Sequence, residues 1–139
     1  MTFGNATWQV LNSHVFPDPA RPVEFIAVAG LGGWTVFLAF HPETLSRAAF
    51  SGFAALPVIG WQILMGLTAL TQFAVIVAPV PGRAVLRFAA MTLASGLWTV
   101  VAFNFWGGLQ LSTGAGMYTA IAAISALTGV WLGCLTIKS

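Results

Sequence analysis

The sequence predicts an all-α fold: an integral membrane bundle of four transmembrane helices, with room for a short interfacial helix ahead of it. Two observations carry this reading. Acidic and basic residues are absent from 25–40, from 48–81 and from 88–137. An ionised side chain at the bilayer centre costs about 3 kcal/mol even on insertion scales, so lipid selects such stretches and a wetted surface avoids them. Composition agrees, since 58% of the 139 residues are hydrophobic and 6% charged, whereas a soluble domain carries about a quarter charged. Mean hydropathy is +0.91. A span uses roughly 20 apolar residues, which leaves space for about four and for no second, soluble domain.

The elements follow in order. Residues 1–22 read as an N-terminal tail. Met1 to Pro22 lacks the basic start, apolar core and small-residue cleavage site of a secretory signal. Thr2 to Phe16 mixes apolar and polar types and is too short to span; an interfacial helix would turn Trp8, Val10 and Leu11 to lipid. Pro17, Asp18, Pro19, Arg21 and Pro22 then break the chain, because proline removes a donor and restricts its predecessor. The transmembrane domain covers 23–139. Its first span, about 23–40, holds Gly30, Gly32 and Gly33, which lower helix propensity but admit a neighbouring backbone. His41-Pro42-Glu43-Thr44 closes it and opens the next segment, with proline and an acid in a first turn where both are favoured. The stretch 42–55 reads as interfacial until Pro57 redirects the chain. The second span is about 57–80, and Pro79-Val80-Pro81-Gly82-Arg83 turns it into the third, about 85–106. A loop with Gly107, Gly108, Ser112, Thr113 and Gly114 leads to the fourth, about 115–137.

Four spans put both termini on one side. With the termini cytoplasmic, Arg21, Arg83, Arg87 and Lys138 lie inside and Arg47 outside, which satisfies the positive-inside tendency. Trp61 and Trp106 then fall near the outer interface and Trp131 near the inner one. Arg47, Arg83 and Arg87 read as interfacial charges meeting lipid phosphates or helix-end carbonyls. If the third helix begins early, Arg83 and Arg87, four residues apart, share a face.

Packing is legible in the fourth span. Ala115, Thr119, Ala122, Ala126, Gly129 and Gly133 recur at spacings of four and three, forming one smooth row against which another backbone can close. Ile121, Ile124, Trp131 and Leu135 suit lipid. The intramembrane polar residues Gln62, Gln72 and Asn104 need partners in hydrocarbon. Interhelical bonding satisfies that need, and a polar seam or pore lining is the functional alternative. Serine and threonine hydroxyls can bond their own helix.

Chemistry is otherwise sparse. His14 sits in the tail and His41 at a span boundary, so neither is deep enough in facing helices to ligate haem. Cys134 stands alone, which excludes an internal disulfide and a cysteine metal cluster. No paired carboxylates, nucleophile–base set or phosphate loop is present. The expectation is no enzyme, no cofactor and no metal. Net charge of +2 is too weak to argue for nucleic acid, which leaves the lipid bilayer and other membrane proteins as partners.

Three stretches carry a resemblance: His41 to Ser51 (HPETLSRAAFS) with Trp61, Val85 to Trp98 (VLRFAAMTLASGLW), and Ser112 to Ala120 (STGAGMYTA). In a Pro-Glu-x-x-Ser turn, a second-span tryptophan, an arginine opening the third span and a Ser/Thr-Gly turn before a tyrosine, the chain resembles small multi-span, holin-like membrane proteins of tailed bacteriophages. The glycine-rich first span and the longer tail are not part of that pattern. The resemblance implies a viral product in the bacterial cytoplasmic membrane, with no catalytic residues to carry over. The leading expectation is thus an oligomerising, holin-like protein that permeabilises that membrane, with Gln62, Thr68 and Gln72 facing water after assembly. The alternative is a structural or accessory subunit packed into a larger viral or host membrane complex. A small channel or transporter comes third, because no inverted repeat is visible and Pro57 is the one obvious break.

Overall fold

A computed structural model describes residues 18–46, 48–78, 81–107 and 113–136. The interfacial helix expected within 2–16 and His14 lie outside the described residues, as do Arg47 and Lys138. Among the described residues every regular element is helical: α1 (Arg21–Phe40), two 3-10 stretches (Pro42–Ser46 and Ala48–Ala55), α2 (Val58–Val77), α3 (Arg83–Trp106) and α4 (Thr113–Thr136). Each long helix has 20 to 24 residues, and at about 1.5 Å per residue each reaches across a hydrocarbon core of about 30 Å. All four are long and apolar enough to cross a membrane.

The helix ends follow local chemistry. Asp18 accepts the Ala20 amide on its side chain at 3.0 Å and the Arg21 amide on its carbonyl. α1 then starts with proline in its first turn and Glu24 close behind, where the exposed amides favour an acid. Pro57, in extended conformation, precedes α2. Gly82 adopts φ of +70° to begin α3, a left-handed conformation that residues with a Cβ avoid.

Packing pairs α1 with α2 and α3 with α4 along their lengths, while α1 meets α4 sparsely. Leu31, Leu38, Met65, Met91 and Trp98 form the core between the pairs. Gly30 lets α1 close on α3, since a methyl there would lie 2.5 Å from Trp98 Cζ2. The stretch Ala48–Ala55 sends one side chain into the bundle end: Phe53 is buried, and its carbonyl accepts the Trp61 indole N–H at 2.8 Å. Trp61 is accordingly buried rather than exposed at a surface. An indole with its donor satisfied inside the chain needs no headgroup contact.

The fourth-span row is only partly as expected. Ala115, Ala122 and Gly129 are buried and Gly133 half-buried, but Thr119 and Ala126 are exposed. The buried stripe runs instead through Ala115, Tyr118, Ala122, Ser125, Gly129 and Leu132, with Tyr118 half-buried. Relative to the expected row it is rotated by about 50° around the helix, at 100° per residue. The physical reason is filling: the space beside α3 takes the larger Tyr118 and Leu132, and smallness alone does not decide which row turns inward. Gly133 still rests close to the Phe88 ring, and Ser95 donates across to the Ala122 carbonyl at 3.1 Å.

Candidate functional site

The N-terminal ends of α1 and α3 meet in a charge cluster. Arg87 donates from Nε to Glu24 Oε1 at 2.8 Å and from Nη2 to Glu24 Oε2 at 2.7 Å, a bidentate pair between residues 63 apart. Its remaining terminal nitrogen, Nη1, pairs with Asp18. Glu24 is completely buried. One guanidinium fork thus holds two carboxylates and ties the start of α1 to the start of α3. Burial pushes the Asp18 carboxyl up, but the hydrogen bonds from Arg87 and the Ala20 amide, with the charges of Arg87 and Arg21, hold it below the usual carboxylate value.

Arg83 does not share that cluster. It donates from Nε to the Val75 carbonyl at 2.9 Å and from Nη2 to the Ile76 carbonyl. A cation in the first turn of α3 opposes that helix's own dipole, yet here the charge reaches the carbonyl end of α2, where cations are favoured. The two arginines therefore part ways, Arg83 fastening α2 and Arg87 fastening α1. The buried carboxylate that Arg87 serves was not visible as a site in sequence, because Glu24 precedes the apolar run and its partner lies far along the chain.

Thr68, Gln72, Asn104 and Ser125 are the buried uncharged polar residues of the long helices among the described residues, whereas Thr71, Thr92, Thr99 and Thr119 are exposed. Gln72 is buried and donates to the Met91 sulfur, while its Oε1 has no partner among the described residues. Asn104 donates to the Val100 carbonyl at 2.8 Å, and Gly52 packs directly against its amide. Thr68 is buried and bonds the Leu64 carbonyl at 2.7 Å. Gln62 is half-buried. The structure does not gather Gln62, Gln72 and Asn104 into one polar channel; Gln72 and Asn104 are each absorbed at a separate packing contact.

Several concavities open along the helices, and two of them lie beside α4. A groove of about 320 Å³ runs between α3 and α4, floored by small residues such as Ser95, Thr99, Ala122 and Ala126, with Trp106 donating to Thr119 Oγ1 at 2.9 Å on one flank. The larger, about 860 Å³, opens laterally where α1 and α4 diverge. Aromatic side chains dominate its wall: Trp34, Phe37, Phe50, Trp98, Phe105 and Tyr118. Trp98 and Tyr118 stack at 5.6 Å with an 11° interplanar angle. His41 and Glu43, exposed and 3.5 Å apart, stand at one rim. Sequence reasoning missed this cavity. Its only advance signal was the density of aromatic residues near Phe50, Phe105 and Tyr118, which periodicity does not report.

Among the described residues, no three His, Cys, Asp or Glu side chains converge as a metal site would require. No protein family, curated protein or solved structure matches this chain. Fold and composition together define the class, a helical membrane protein with four candidate spans.

Proposed function

We propose that the protein is a non-catalytic accessory subunit of a larger membrane assembly, lodged in the bacterial cytoplasmic membrane with both termini inside. One observation carries the reading: the polar side chains that a pore would turn to water lie inside the single chain, while Thr99, Thr119 and Ala126 stay exposed along a groove between α3 and α4. Thr68 and Gln72, which a homomeric pore would turn to water, are 3% and 1% exposed within the single chain. The α3–α4 groove, floored by Ser95, Thr99, Ala122 and Ala126, is the kind of surface on which another helix's backbone settles closely. Cytoplasmic termini follow from the basic residues, as does the inner position of the Asp18–Glu24–Arg87 cluster.

Holin-like permeabilisation is the second reading, supported by the phage resemblance and by the same groove, which a second copy would also fit. One experiment separates the two. The protein is induced alone in bacteria, dye entry is followed, and the chain is then recovered in mild detergent from its native setting. The accessory reading expects an intact barrier at high expression and co-purification of a partner at fixed stoichiometry. Dye entry that Ala126→Leu abolishes would replace it with the permeabilising one.

A further inference from the structure

We propose that the lateral cavity between α1 and α4 holds an acyl chain of a phospholipid whose headgroup carries a primary ammonium, with that ammonium on Glu43. The site lies on a different face from the α3–α4 groove and does not depend on the accessory reading. One face of α1 sets its shape. Ile26, Ala29, Gly33, Phe37 and His41 recur at spacings of three and four, and all line the cavity. It therefore follows that helix for about 22 Å, at 1.5 Å per residue, against a hydrocarbon core of about 30 Å. It ends at the boundary of the span, where His41 caps α1. A Cβ built at Gly33 meets nothing within 4 Å, so the floor is open. Opposite, Trp98 stacks on Tyr118, whose ring centroid lies 4.9 Å from that of Phe105. These rings meet one another and leave an apolar wall. Water needs two to four polar partners, which that wall does not supply, whereas a methylene chain needs none.

The chain by itself selects no lipid, because bilayer tails are as apolar as the wall. Selection falls on the rim. Glu43 lines the cavity there, and neither Lys nor Arg does so among the described residues. Of the three acids in the sequence, Asp18 and Glu24 are both held by Arg87. Glu43 has one carboxylate oxygen 3.5 Å from His41 Nδ1 and the other without a partner among the described residues. The His41 ring lies 5.1 Å from that of Phe37, which sets the carboxylate beside the wall at the level of the headgroups. A primary ammonium brings the opposite charge and three donors. A choline headgroup brings charge without a donor, and a glycerol headgroup leaves the phosphate charge uncompensated next to Glu43. The Glu43 side chain is 60% exposed, and pairs of that kind are weak, so the preference is roughly two- to fivefold.

The test reconstitutes the full chain into nanodiscs of equimolar dioleoyl phosphatidylethanolamine, phosphatidylcholine and phosphatidylglycerol. The protein is extracted into mild detergent, and the lipid that stays with it is counted and identified by native mass spectrometry. The expected result is one retained lipid per chain, with phosphatidylethanolamine enriched over each of the other two. Glu43→Gln keeps the shape and removes the charge, so a lipid is still retained but the enrichment disappears. Gly33→Leu fills the floor and abolishes retention, whereas Gly32→Leu, outside the cavity wall and equally unobstructed, leaves both retention and preference intact. Circular dichroism of each variant confirms that the helices persist. Retained lipid in the proportions of the mixture overturns the proposal, as does an ethanolamine preference that survives Glu43→Gln. Retention unchanged by Gly33→Leu, or no retained lipid at all, overturns it equally.

Discussion

At the scale of single residues, Arg87 is the side chain on which most depends. It satisfies a fully buried Glu24 through two hydrogen bonds and also pairs Asp18. Removing one partner of a buried pair strands the other charge, so Arg87→Ala is expected to destabilise the bundle by about 3–5 kcal/mol. Glu24→Ala costs less, since Arg87 retains Asp18. The Glu24→Ala/Arg87→Ala double variant falls well short of the sum of the singles, because the second substitution removes a charge the first has already orphaned. Unfolding of all four proteins in mixed micelles measures this, and additive losses would show that the pair is not coupled. Asp18 adds a pH signature. Its carboxyl is held below its ordinary value of 3.8, so the folded state keeps it ionised to lower pH than the unfolded chain does. Its contribution is complete above that ordinary value and is lost as pH falls through the folded one. The stability difference between wild type and Asp18→Asn should therefore hold steady from about pH 7 to 5 and shrink below about pH 4. A difference that instead changes between neutrality and pH 5 would assign the titration to another group.

At the scale of elements, the sequence was most informative where physics is local. Missing charge located the spans, and Pro22, Pro57 and Gly82 punctuate them because each acts on its own backbone. It was least informative where the answer depends on a distant neighbour. The glycines of α1 show the difference. Gly30, Gly32 and Gly33 read alike in sequence, yet only at Gly30 does α3 press in, with Trp98 clamped against Tyr118 behind it. Gly30→Ala is thus expected to cost about 1–3 kcal/mol through overpacking. Gly32→Ala, with nothing within 4 Å of the new methyl, should be neutral or slightly stabilising, since alanine is the better helix former. Thermal denaturation in detergent ranks them, and equal effects would mean that propensity rather than the Trp98 contact governs α1. The rotated stripe of α4 has the same origin. A row of small residues marks where a backbone is able to approach, but the shape of α3 decides which row it meets. The Glu24–Arg87 pair and the aromatic cavity likewise join residues that no periodicity links.

For the whole molecule, the expected orientation rests on charge rather than on packing or burial. The Arg87 clamp puts the first turns of α1 and α3 at one end of the bundle. Successive helices that cross the bilayer in alternation place the α1–α2 connection at the other end, with His41 and Glu43 exposed there. The sign of the arrangement comes from charge: four of the five Lys and Arg residues fall on the clamp side when the tail and Lys138 are counted with it. Because the membrane potential and insertion machinery hold short basic segments in the cytoplasm, that side is expected inside. Single cysteines test this in a Cys134→Ser background. A membrane-impermeant maleimide added to intact cells should label Glu43→Cys and spare Ser139→Cys, with both labelled after lysis. If Ser139→Cys reacts and Glu43→Cys does not, the bundle is inverted, and the clamp faces outward. If both react in intact cells whose barrier is sound, the helices do not alternate, and the antiparallel pairing of α3 with α4 must be redrawn. If both react because the cells have become leaky, the permeabilising reading gains what the accessory one loses.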